Sequence, residues 1–129
     1  MATVAAIMSR NLLGVAPDVK LGEAAKRMVA RGVGAVVVVE GERLVGILTE
    51  RDILKAVAGG FAEDAPVSRW MTRHPETIEP DDDTGHAASL MIHGGFRHLP
   101  VVDGERVVGI LSIRDLMRVA LADSAPRGV

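Results

Sequence analysis

Most of this chain is written twice. Met8 and Met71 begin two segments that align at an offset of 63 residues with no gap. Pro17-Asp18 matches Pro80-Asp81, Gly22 matches Gly85, Ala24-Ala25 matches Ala87-Ala88, and Met28 matches Met91. Further on, Gly41-Glu42-Arg43 matches Gly104-Glu105-Arg106, Val45-Gly46-Ile47-Leu48 matches Val108-Gly109-Ile110-Leu111, and Arg51-Asp52 matches Arg114-Asp115. About 20 of the 47 positions from Met8 to Leu54 are identical to their partners, too many for chance at one register. Two copies are too few for a solenoid; they predict a pseudo-twofold pair that buries a shared face. A length of 129 residues suits one compact domain or two small ones sharing a core, and excludes a large multidomain enzyme.

Each copy predicts the same elements. Leu21, Ala24, Ala25 and Met28 fall at i, i+3, i+4 and i+7, the apolar stripe of a helix that stops near Gly32. Ala87, Ala88, Met91 and Ile92 repeat the stripe and stop at Gly94-Gly95. Asp83 suits the N-cap of the second helix, whereas Lys20 holds the matching position in the first, which must cap in another way. The β-branched run Ala35–Val39 reads as a strand buried on both faces, followed by a tight turn at 40–43 and a returning strand at 44–48. In the second copy the strands are 99–102 and 107–111. Pro100 there lacks a ladder donor and predicts an edge position or a strand start. A second helix follows each hairpin, at Arg51–Ala58 and Arg114–Ala122. The division expected is repeat one over 1–60, a linker over 61–66, repeat two over 67–122 and a frayed tail over 123–129.

Composition removes several functions. There is no cysteine, so disulfides, thiolate metal sites and cysteine nucleophiles are excluded, and a reducing cytoplasm is compatible. A net charge of −2 offers no electrostatic attraction to nucleic acid or anionic membranes. Aromatics at 2% supply no base-stacking platform, and no apolar run approaches the roughly 20 residues of a membrane span. His86 and His93 are two helical turns apart, about 10 Å of rise, too far to share one metal ion. Ser9, Ser68 and Ser89 stand in no nucleophile motif, so no catalytic residue and no metal ligand is assigned.

What remains is a pair of short motifs, Gly46-Ile47-Leu48-Thr49-Glu50-Arg51-Asp52 and Gly109-Ile110-Leu111-Ser112-Ile113-Arg114-Asp115. A hydroxyl three residues before an acid at a helix start is an ordinary cap. The same geometry can seat a phosphate on helix N–H groups, with the carboxylate one turn in accepting the hydroxyls of a ribose and Arg51 or Arg114 binding phosphate. Capping and binding do not exclude each other, so both readings stand.

The doubled helix, buried hairpin and Gly-h-h-[Ser/Thr]-x-x-Asp ending resembles the cystathionine β-synthase (CBS) domain family, and the two copies resemble a CBS pair, or Bateman module. The most specific pieces are Met71–Asp81, Phe96–Asp103 and Val108–Asp115, in that order. The resemblance implies an α/β fold of two tandem CBS repeats packed as a pseudo-twofold pair, with small sheets flanked by helices. It also implies a ligand sensor, not an enzyme, that binds an adenosine-containing molecule (AMP, ADP, ATP, NAD or S-adenosylmethionine) in clefts between the repeats. Carried over, Asp52 and Asp115 hold ribose hydroxyls, and Thr49 and Ser112 lie near ribose or phosphate. The backbone around Val15 and Ala16, and around Thr77 and Ile78, meets adenine.

The copies differ where Arg97-His98 replaces Gly34-Ala35, and where His74-Pro75 and Thr77 replace Asn11-Leu12 and Gly14. Arg97 is a second cation for phosphate, which favours a site using second-copy residues. The expected assembly is a cytoplasmic homodimer, since small repeats leave apolar helix surface that a twofold contact covers. Ligand binding would select one arrangement for a protein effector to read. A scaffold domain whose motifs act only as caps is the alternative.

Overall fold

The structure, a computed structural model, describes residues 2–60 and 63–124; Phe61 and Ala62 of the expected linker and residues 125–129 of the expected tail lie outside them. In chain order the elements are α1 (Val4–Ile7), β1 (Gly14–Val15), α2 (Leu21–Arg31), β2 (Ala35–Glu40), β3 (Arg43–Thr49) and α3 (Glu50–Ala58). After a single 3-10 turn at Val67–Arg69 come β4 (Thr72–Arg73), α4 (Thr84–Gly94), β5 (His98–Asp103), β6 (Arg106–Ser112) and α5 (Ile113–Ser124).

The apolar spacing dictates these elements. In α2 the stripe residues Leu21, Ala24 and Met28 are buried, and Gly32 closes the helix in the left-handed region at φ 65°, where a Cβ would be strained. Gly95 ends α4 the same way at φ 71°. Gly41 and Gly104, both at φ 66°, make the two hairpin turns. The four residues Ala35–Val38 of β2 are all buried, as a continuous β-branched run demands.

The chain forms two compact units that do not follow the order of the repeats. Among the described residues, one contains those of 11–75 with Gly104–Val107; the other contains 2–10, Glu76–Asp103 and 108–124. Each repeat therefore lends its opening segment to the unit built on the other repeat. In the first unit, Val67 N–H donates to the Val19 carbonyl at 2.8 Å and Ser68 N–H to that of Pro17 at 3.0 Å. In the second, Val4 N–H donates to Asp82 and Ala5 N–H to Pro80, each at 2.8 Å. These are the same two bonds moved by the repeat offset. Val67 and Val4 are both fully buried and join separate cores, Val67 with Leu21, Val36 and Leu48, and Val4 with Met91, Leu99 and Leu111.

The exchanged segments seat against a strand that lacks a side chain. In the first unit β4 pairs antiparallel with β3, Gly46 facing Arg73. A Cβ on Gly46 would stand 2.6 Å from Met71 Sδ and 2.9 Å from the Thr72 carbonyl oxygen. In the second unit Ser9 bridges Ile110, and a Cβ on Gly109 would meet Met8 Sδ at 2.6 Å and the Ser9 oxygen at 2.9 Å. Glycine is required at both positions because backbone, not a movable side-chain end, blocks the space.

On the far side, β1 runs parallel to β2, which pairs antiparallel with β3. In the second unit the equivalent of β1 shrinks to a single bridge, Ile78 with Val101. Pro100 accounts for the loss: its counterpart Val37 donates to the Leu13 carbonyl at 3.0 Å, and proline has no N–H to do so. Pro100 is thus third in β5 rather than at its start, on the side where the outer strand is curtailed.

The two first helices are capped differently, as the Lys20/Asp83 difference requires. Asp83 accepts from the Gly85 N–H. At α2, residues before the exchanged segment do the work: Leu21 N–H donates to the Ala65 carbonyl at 2.8 Å and Gly22 N–H to that of Glu63 at 3.0 Å.

Candidate functional site

The hairpin of each unit delivers the hydroxyl-acid motif to a helix start. The β2–β3 register places Ala35 opposite Thr49, so the chain before β2 lies beside the first turn of α3. Glu50 N–H then donates to the Gly34 carbonyl at 3.0 Å. In the second unit Ile113 N–H donates to the Arg97 carbonyl at 2.9 Å, which brings Arg97, Ser112, Arg114 and Asp115 together at the start of α5.

Both motifs form a reciprocal capping box. Asp52 Oδ2 accepts from the Thr49 N–H at 2.8 Å and from the Thr49 hydroxyl at 3.1 Å, while the Asp52 N–H donates to Thr49 Oγ1 at 3.3 Å. Asp115 Oδ2 accepts from Ser112 N–H at 2.8 Å and its hydroxyl at 3.0 Å, and the Asp115 N–H returns a bond to Ser112 Oγ at 3.2 Å. Asp52 is 9% exposed, the one buried charged side chain among the described residues. Asp115 is nearly as enclosed, its side chain 14% exposed, with Arg118 Nη1 at 3.7 Å from Oδ1.

This arrangement divides the chemistry of each motif. One carboxylate oxygen is consumed by the cap, and Oδ1 is left with lone pairs for other donors. Each hydroxyl spends its hydrogen on its own acid, so Thr49 and Ser112 hold the carboxylates in place and retain only acceptor capacity. Among the first three N–H groups of α3, those of Glu50 and Asp52 are engaged, which leaves that of Arg51. The exposed side chains of Arg51 and Arg114 follow directly on the helix starts.

The residues expected near adenine separate into two roles. Val15 and Ile78 are core residues, 3% and 2% exposed. Ile78 also spends its backbone on β5, donating to the Pro100 carbonyl at 3.1 Å and accepting from Val102 N–H at 2.9 Å. The flanking residues face the open edge, because alternate residues of a strand turn their backbone groups to opposite sides. Ala16 keeps its N–H there, its carbonyl accepting from Val19 at 3.2 Å. At the equivalent edge Glu79 N–H is taken by Asp82 Oδ2 at 2.9 Å, which leaves the edge groups of Thr77. His98 is half-buried at the first position of β5. His74-Pro75, which the repeat assigns to the second copy, belong to the first unit.

Two participants escape a reading by motif. Glu50 and Ile113 occupy the same variable position inside the matched motifs, and only the placement of Glu50 beside Gly34 gives that difference a meaning. Arg118 reaches Asp115 from one turn further along α5, a spacing that i, i+3 pairing on a helix could have flagged.

Two mixed α/β units, each presenting a hairpin and a capped acid at a helix start, make a doubled fold. The sequence description of the CBS domain matches residues 4–59 and again 67–122. The chain belongs to the CBS domain family, as a tandem pair. An uncharacterized 17.7 kDa protein of Acidianus ambivalens is 41% identical over 124 residues, 94% of this chain and 75% of that protein. Several other curated relatives are much longer, the chain spanning 62%, 43% and 22% of three of them. Among solved structures, the CBS domain pair of protein MJ0100, in complex with 5′-methylthioadenosine and S-adenosyl-L-methionine, superposes with a TM-score of 0.90 at 30% identity, over 95% of this chain and 98% of that one. A CBS domain protein of Pyrobaculum aerophilum complexed with AMP gives a TM-score of 0.85 at 28% identity, over 95% of this chain and all of the other.

Proposed function

We propose that this chain is a regulatory sensor of an adenosine-containing ligand, drawn from AMP, ADP, ATP, NAD and S-adenosylmethionine, and that it performs no catalysis. The observation that carries the reading is the pair of capping boxes. Each fixes a nearly buried carboxylate with one oxygen spent on the cap and Oδ1 outside it, an acceptor for ribose hydroxyls, which at Asp115 has Arg118 beside it. The ligands in the related complexes, AMP in one and two adenosine thioether or sulfonium compounds in another, support it.

In this reading Oδ1 of Asp52 and of Asp115 accepts the ribose hydroxyls, with Thr49 and Ser112 orienting the acids. Edge backbone of Ala16 and Thr77 meets adenine, with Val15 and Ile78 behind it as packing. Arg51, Arg114 and Arg97 are the cations for phosphate, and His98 lies on the strand next to Arg97.

The module works as a homodimer, and a protein effector reads its ligand state. Support for the dimer is the apolar surface at equivalent helix positions: Val29 and Ile92 are 83% and 74% exposed, and Leu54 and Met117 are 69% and 57% exposed. A cytoplasmic setting fits a chain without cysteine. No helix among the described residues is long and apolar enough to cross a membrane.

A thermal-shift panel of those five ligands tests the reading. A ligand at about 100 times its Kd adds about 2.7 kcal/mol to stability by mass action, a shift of several degrees. Asp52→Asn and Asp115→Asn each remove part of that response. No shift with any of the five leaves the boxes as caps and the domain as a scaffold. For the dimer, Met117→Glu converts the sedimenting species to a monomer without unfolding it.

A further inference from the structure

The two helix starts share one backbone geometry and carry different charge. In the first unit Glu50 opens α3, and its carboxylate lies over Gly34: a Cβ at Gly34 would stand 3.3 Å from both Cδ and Oε1 of Glu50. In the second unit the same two positions hold Ile113 and Arg97, joined by the same backbone bond. The acid is gone and a guanidinium takes the place of a hydrogen atom. Among the described residues the exposed Arg97 guanidinium makes no ion pair or hydrogen bond, so its donors are open to a ligand.

Adding the neighbours sharpens the contrast. The formal charges of Glu50, Arg51, Asp52 and Lys55 cancel, whereas Arg97, Arg114, Asp115 and Arg118 leave two positive charges. Both starts retain a largely buried carboxylate whose Oδ1 lies outside the cap, with Arg118 Nη1 3.7 Å from that of Asp115, so both offer an acceptor to ribose hydroxyls. What differs is the response to a ligand's phosphate. A phosphate group gains charge-assisted bonds from Arg97 and Arg114 in the second unit, and in the first it has Arg51 alone, offset by the Glu50 carboxylate.

We infer that the two units select adenosine ligands of different charge: the Asp115 start takes a phosphorylated adenosine, and the Asp52 start takes one without phosphate, neutral or cationic. The inference rests on the adenosine reading above and deepens it. It makes the module a comparator of two ligand classes, not a duplicate sensor of one. Glu50 is the excluding element and Arg97 the attracting one; each acts on specificity while the carboxylates supply the shared grip.

Calorimetric titration of the full chain with AMP and, separately, with 5′-methylthioadenosine tests this. Arg97→Ala and Glu50→Gln alter exposed side chains outside the caps, so folding is not at stake. Arg97→Ala weakens AMP at least tenfold, equivalent to about 1.4 kcal/mol, and leaves 5′-methylthioadenosine within twofold. Glu50→Gln creates or strengthens a second AMP site by a similar factor. Asp115→Asn removes the tighter AMP site, and Asp52→Asn removes the site for the unphosphorylated compound. Raising salt from about 0.05 to 0.5 M weakens AMP and spares the other ligand. Binding of both compounds with a ratio that Arg97→Ala and Glu50→Gln leave unchanged overturns this inference and leaves the adenosine reading standing. Loss of AMP through Asp52→Asn alone does the same. Failure of one of the two compounds to bind the unaltered chain overturns this inference alone; the adenosine reading falls only when none of the five ligands of the thermal-shift panel binds.

Discussion

Among the differences between the two units, three bear on the outer strand and the second helix start: Pro100 for Val37, Arg97 for Gly34 and Ile113 for Glu50. Where the exchanged segments seat against β3 and β6 the units are interchangeable. A Cβ placed on Gly46 or on Gly109 would meet a methionine sulfur and a backbone oxygen at the same two distances, 2.6 and 2.9 Å. Where the side chains face water at the helix start, the units part. Packing tolerates little change because interiors are dense, and a surface charge is free to vary until a ligand constrains it. Duplication has thus conserved the way each unit is built and diversified what each presents.

Matched substitutions break or sharpen this comparison. The largest effects come from the cores. Leu48→Ala and Leu111→Ala each remove a fully buried side chain and cost about 2–5 kcal/mol in urea denaturation followed by circular dichroism. Trp70, the single tryptophan, packs against the first core, so its fluorescence midpoint follows Leu48→Ala directly. Losses differing by more than about 2 kcal/mol would break the equivalence of the cores.

Next come the glycines. Gly46→Ala and Gly109→Ala drive a methyl into the exchanged segment and cost about 1–3 kcal/mol each. A neutral result at either would show that the segment yields. Smaller still, Thr49→Ala and Ser112→Ala dismantle the two capping boxes for about 1 kcal/mol apiece. Equal losses there, with unequal effects on ligand, would separate the structural role of the boxes from the binding role. Least is Pro100→Val, which restores a donor opposite the Glu76 carbonyl and adds a few tenths of a kcal/mol. Hydrogen exchange at residue 100 reads it, since a protected amide means the outer strand has lengthened to match β1.

The regularities that reached the structure unchanged are local ones. The stripe of α2, the glycine stops at Gly32 and Gly95, the buried β2 run and the Asp83 cap all follow from neighbours within one turn or one strand, whereas Ile92 of the expected second stripe is 74% exposed and only Ala87 and Met91 of it are buried. The exchange of opening segments was not legible, because Val4–Met8 resembles Val67–Met71 whichever unit each joins; only the hydrogen bonds to Asp82 and Val19 decide it. At the candidate site the motif was legible and its accounting was not. That Ile78 spends both backbone groups on β5 and that Glu50 lies over Gly34 depend on distances between segments remote in sequence, whereas the Thr49 proton on Asp52 is local and needs only the hydrogen-bond geometry.

The crossing of the opening segments also governs how this chain can be cut. A fragment ending at residue 60 keeps β3 with Gly46 bare of Met71, and leaves the α2 start without the carbonyls of Glu63 and Ala65. It also carries a valine and a methionine that belong to a core it no longer has. A dissection that respects the repeat in the letters therefore orphans both halves, and a minimal, independently expressible piece has to carry the segments of both copies, laced as they are.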